Sequence, residues 1–74
     1  MVKGQQDISY FVSFCVEQYK HAKHMTGGEA MAMLDRYGVL GYLAENYEIL
    51  HTQSHHWILE DIDEFIGIRQ KQTL

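Results

Sequence analysis

Five histidines, one cysteine and a run of four carboxylates are the residues of this 74-residue chain that could do chemistry. His21 and His24 fall one helical turn apart, and His51, His55 and His56 cluster in a stretch without an apolar residue. Imidazole nitrogens bind zinc, nickel or copper, and a pair at i, i+3 or i, i+4 offers two of them to one ion. A structural zinc site takes four ligands, often thiolates. The one thiol here is Cys15, and neither a His-Glu-x-x-His nor a paired-cysteine spacing occurs. Solvated surface histidines are the plainer reading, and a metal module built on the five histidines is kept as the alternative. His51 is set apart, because its ring can fix the following turn by hydrogen bonding to nearby backbone.

Nucleophilic catalysis needs a thiolate or hydroxyl, a base and an oxyanion donor meeting in one cleft. Cys15 lies mid-helix on an apolar face, where a thiol is expected to be a protonated packing group. The acidic run Glu60, Asp61, Asp63 and Glu64 lacks the central glycine and alternation of a calcium loop. Acids near a helix start are favoured by the macrodipole, which accounts for the run without a ligand. No catalytic constellation, metal set or cofactor motif emerges, so the expectation is a chain that is not an enzyme and carries no cofactor.

These residues must be positioned by short helices. Ile8, Phe11, Val12, Cys15, Tyr19 and Ala22 recur at three- and four-residue steps, predicting a helix over about 7–24 with Asp7 as N-cap. Phe14, His21 and Met25 fall on a neighbouring stripe. Thr26 and Glu29 form a capping-box pattern, with Gly27 and Gly28 available for the reversal, and predict a second helix over about 27–37. Gly38 stands where a left-handed C-cap is wanted, followed by Val39 for the accompanying apolar contact. Leu40, Leu43, Tyr47 and Leu50 predict a third helix over about 40–50. A fourth is expected over about 56–71, with Ile58, Ile62, Phe65 and Ile66 inward. The Asp61-x-x-Glu64 pattern leaves open a later start with 57–60 extended, paired in a short hairpin with 48–51. The fold class is all-α: a compact bundle of four short helices forming one domain over residues 1–74.

Charge narrows the partners. The net charge is −4, with four basic and four acidic residues in 1–40 but two against six in 41–74. An acidic half repels phosphate backbones. A helix–turn–helix over 26–50 would present a recognition helix with Glu45 and Glu48 and no Lys or Arg. The longest apolar run, Ala30–Leu34, is five residues, against the roughly 20 that a bilayer needs. The polar opening Met1–Asp7 is unlike a secretory leader, so the chain is expected to be cytoplasmic and reduced, with neither nucleic acid nor membrane as partner.

Four motifs follow one another in order: Phe11-x-x-Phe14-Cys15-x-Glu17-x-Tyr19, Tyr37-Gly38-Val39-Leu40-x-Tyr42-Leu43, Tyr47-x-x-Leu50-His51-Thr52-Gln53 and Glu60-Asp61-Ile62-x-x-Phe65-Ile66. Together they resemble a family of small, single-domain, helical bacterial proteins of unknown function, over about residues 8–67. Gly41 and Ser54 depart from its pattern, which has a polar helix-start residue and a turn glycine there. Members are often encoded beside a larger protein similar to an ADP-ribosyltransferase. The resemblance implies such a protein as partner, in an antitoxin-like pairing, and carries over no catalytic residue.

Five tyrosines, three phenylalanines and one tryptophan exceed what four short helices can enclose. Tyr and Trp anchor interfaces because a large apolar ring carries a polar tip. The expected function is protein docking, to a second copy or to the ADP-ribosyltransferase-like partner. The expected interface comprises Phe14, His21 and Met25 from the outer stripe of the first helix, with Tyr10, Tyr42 and Trp57.

Overall fold

The computed structural model describes residues 5–72, so Met1–Gly4 of the polar opening lie outside the described residues. Five helices follow in order: α1 Gln5–Lys23, α2 Gly27–Arg36, α3 Val39–Glu45, α4 Tyr47–Leu50 and α5 His55–Gln72. No strand occurs among the described residues. The chain is an all-α bundle, and residues 57–60 belong to α5 rather than to a hairpin.

Local chemistry sets each boundary. α1 stops at Lys23 because His24 takes the left-handed conformation, with φ of 56°. The Met25 amide then donates back to the Lys20 carbonyl at 3.0 Å, the six-to-one bond of a Schellman stop. The reversal is therefore made by His24, not by the glycine pair: Gly27 and Gly28 open α2, after the Thr26 cap. That cap is a complete capping box, with the Glu29 amide donating to Thr26 Oγ1 at 3.1 Å and the Thr26 amide to Glu29 Oε1 at 2.9 Å. Gly38 sits at φ 75°, ψ 16°, a left-handed position at the α2–α3 corner as its type demands.

The third predicted helix is divided. Asn46 leaves helical geometry at φ −108°, ψ 22°, and its side-chain amide donates to the Tyr42 carbonyl at 2.8 Å. This back-bond competes with the helix ladder at the same carbonyl, which also accepts the Asn46 backbone amide. A new turn then begins from the Asn46 carbonyl, which takes the Leu50 amide at 2.9 Å. α5 starts from Ser54, whose Oγ accepts the Trp57 amide at 3.2 Å, so the helix expected over about 56–71 is formed and the alternative start at Asp61 is not taken. Serine here satisfies a donor that a turn glycine would leave bare.

The core is aliphatic. Leu34, Val39, Leu43, Ile62 and Ala30 are fully enclosed, joined by Cys15, Val16, Tyr19, Leu50, Ile58 and Ile66. Each large aliphatic side chain buried this way contributes about 1.5–3 kcal/mol. α1 turns slightly differently from its apolar pattern: Val16 is inside and Ala22 is exposed. α3 runs antiparallel to α5, with Gly38 near Arg69 and Tyr42 against Phe65. α1 and α5 run in the same sense, with Phe14 beside His55 at one end and Lys23 paired to Asp63 at 2.9 Å at the other.

Candidate protein-docking surface

The N-terminal half of α1 exposes rings that the core does not reach. Tyr10 is 82% exposed and Phe14 46% exposed. Both lie on the flank of α1 that turns away from Cys15 and Tyr19, because residues three and four apart share a helical face. Phe11, between them, turns partly inward and meets Tyr47 edge-on at 5.5 Å between centroids. α4 thus forms the second wall of an open groove of about 370 Å³ lined by Asp7, Tyr10, Phe11, Phe14, Tyr47 and His51.

That second wall is fixed by the back-bonding expected of His51. Its Nδ1 lies 2.7 Å from the Tyr47 carbonyl, and because a carbonyl only accepts, Nδ1 carries the proton and donates. The imidazole lies flat on the Tyr47 ring, 4.4 Å between centroids and 12° between planes. Thr52 Oγ1 donates to the Ile49 carbonyl at 2.8 Å, tying down the residue next to it. The Leu-His-Thr-Gln segment therefore works as a clamp on the end of α4. His55 adds an edge-on contact to Phe14 at 6.5 Å.

The six residues expected at an interface do not form one surface. Tyr10 and Phe14 share the groove, and His21 continues their stripe two turns on, its Nε2 3.6 Å from Glu17. Met25 is off α1 altogether, carried past the left-handed His24 into a hollow with Tyr19 and Met33, where it packs against the core. Tyr42 is half-buried between α3 and α5, over the Phe65 ring at 4.5 Å, and its hydroxyl donates to Asp61 at 2.5 Å. That bond, with burial, pushes the Tyr42 phenol up to about 12, so it stays a donor. Trp57, 44% exposed, stands beside Glu60, Asp61 and Glu64 on a separate acidic ledge of α5. Spacing on one helix is readable from sequence. Which of two helices shields a given ring is not.

Two exposed acids escaped the sequence reading as parts of a site: Asp7, which lines the groove, and Glu17, one turn beyond Phe14. Asp7 and Glu17 bracket Tyr10 and Phe14 at three residues on either side, and all four are exposed. The signal was present in the 3-4-3 spacing itself, but Asp7 was expected to cap α1, whereas it lies inside the helix in its first turn, and Glu17 was given no role. Lys20 donates to Glu17 at 2.9 Å and holds its carboxyl below the usual range, with His21 adding to the effect.

The remaining chemistry-bearing groups are dispersed. Cys15 is 2% exposed, and burial pushes its thiol up to about 12, far from a reactive thiolate. Among the described residues no three His, Cys, Asp or Glu side chains converge as metal ligands. His21 and His56 sit instead beside Glu17 and Glu60 of their own helices. No helix among the described residues is long and apolar enough to cross a membrane.

No curated protein and no solved structure matches the chain at a significant level. A family model described as "Protein of unknown function (DUF3791)" matches residues 10–69, which takes in the groove lining except Asp7, the Gly38 corner and most of α5. That match covers most of the chain, which belongs to the DUF3791 family of proteins of unknown function.

Proposed function

We propose that this chain is a non-enzymatic docking module whose groove between α1 and α4 binds another protein. The observation that carries the reading is the exposure of Tyr10 (82%) and Phe14 (46%) on a wall of rings whose opposite side is fixed by hydrogen bonds. A ring lying open to water in a small domain forgoes burial worth about 1.5–3 kcal/mol, and a partner that covers it gains that amount. Rings with two side-chain torsions lose little entropy on ordering, which suits Tyr and Phe as anchors. The buried, protonated Cys15 supports the non-catalytic part of the reading and suits a reduced, cytoplasmic setting.

The partner implied by the family resemblance is an ADP-ribosyltransferase-like protein, which this chain holds or neutralises. Co-expression of the tagged chain with an ADP-ribosyltransferase-like protein from a neighbouring gene tests this. The untreated chain is expected to co-purify that protein in fixed ratio, and a Tyr10→Ser/Phe14→Ser variant to lose it. Absence of co-purification, or capture indifferent to the two substitutions, would remove the reading. No observation favours the histidine metal module, whose five members are spread over two helices and two turns.

A further inference from the structure

The exposed flank of α1 has a pattern that selects its occupant. Asp7, Tyr10, Phe14, Glu17 and His21 repeat at 3-4-3-4 spacing, the seam along which one helix packs on another, and all five are exposed. The middle of the seam is acid, ring, ring, acid. We infer that the groove receives an amphipathic helix of a partner protein, carrying two apolar residues four apart, bracketed three residues out on each side by Lys or Arg. The inference rests on the docking reading and names the chemistry of what docks.

Geometry and charge weigh against a strand and against a second copy. A peptide that docks by adding a strand needs a sheet edge, and the described residues contain no strand. The groove instead has a helical wall on each side, with Tyr10 and Phe14 on α1 and Tyr47 stacked under His51 on α4. That is the shape into which an apolar helix face lays knobs at i and i+4. A second copy meets repulsion in either direction. With α1 seams parallel, Asp7 faces Asp7 and Glu17 faces Glu17. With the seams antiparallel and Tyr10 on Phe14, Asp7 faces Glu17. No two basic residues of the chain lie ten positions apart, so none of its own helices carries the complementary bracket.

Glu17 remains available for that bracket. Its side chain is 54% exposed although Lys20 and His21 approach it, and the seam itself contains no Lys or Arg. Exposed charges of this kind add little affinity singly but set partner choice and register.

The test uses the full chain and two synthetic helical peptides. One carries Lys-x-x-Leu-x-x-x-Leu-x-x-Arg on an alanine–glutamine background, and the other has Glu at both bracket positions. Amide-shift titration is expected to place the basic peptide at residues 7–21 and 47–51 and to show it binding at least tenfold tighter than the acidic one. An Asp7→Lys/Glu17→Lys variant is expected to reverse that order, a result that misfolding cannot produce. Equal binding of the two peptides, shifts centred elsewhere, or sedimentation showing a dimer abolished by Tyr10→Ser would overturn the inference. Co-purification of the protein partner that is lost with Tyr10→Ser/Phe14→Ser, yet unaffected by the charge reversal, would remove the bracketed helix while leaving the docking reading in place.

Discussion

The side of the molecule where α2, α3 and α5 meet and the side where α1 meets α4 use apolar residues in opposite ways. The first is dry and aliphatic at its centre: Leu34, Val39, Leu43 and Ile62 are fully enclosed. The second is aromatic and wet: Tyr10, Phe11, Phe14 and Tyr47 meet edge-on or lie open, and the polar tips of Tyr10 and His51 face water. Branched aliphatics specify one packed arrangement, whereas rings with polar tips tolerate both water and a protein surface. On the proposed docking function, folding falls to one side and recognition to the other, and substitutions on the two sides are expected to separate in their effects.

The largest effect is expected at Leu34. Leu34→Ala opens a cavity at a fully enclosed position and should cost about 2–5 kcal/mol, visible as a sharp fall in the urea midpoint. Gly38→Ala comes next. A Cβ there meets nothing nearer than Arg69 at 4.0 Å, so the loss of about 1–2 kcal/mol comes from the left-handed backbone, and Gly38→Asn should recover part of it. Thr26→Ala removes one half of the capping box and should cost about 1 kcal/mol by the same assay.

The Cys15 thiol supplies a pH-dependent version of the same contrast. Its folded pKa is raised to about 12 by burial, against about 8.5 for an unfolded thiol. A raised folded value means full stability below about 8.5, because only the unfolded chain ionises as the pH climbs from there toward 12. The urea midpoint should therefore fall between pH 8 and 9.8. The slope should flatten in Cys15→Ala, whatever that substitution costs in packing. An identical slope in the two proteins would contradict the enclosed position of the thiol.

Much of the folding side was legible in the sequence, because its signals are local. Thr26 with Glu29 announces a cap from four consecutive residues, and Gly38 followed by Val39 announces a left-handed corner. The recognition side was legible only in part. Tyr10 and Phe14 could be placed off the core stripe from spacing alone, but Met25 could not, since its position depends on His24 adopting a conformation usually left to glycine. Tyr42 was expected outside and is held inward by Asp61, nineteen residues away, a partner no periodicity reveals. The division at Asn46 was hidden for a similar reason. The 40, 43, 47, 50 spacing runs through it without interruption, and the break comes from one side-chain amide.

The smallest stability effect and the largest functional one are expected from the same residues. Tyr10 and Phe14 are already in contact with water, so Tyr10→Ser/Phe14→Ser should cost about 1 kcal/mol or less. Measuring the urea midpoint of that variant together with its capture of the co-expressed ADP-ribosyltransferase-like protein tests the division between the two sides most directly. A midpoint close to that of the parent chain with capture abolished is the expected result. A collapse of the midpoint, or a stable variant that still holds the partner in full, would contradict it.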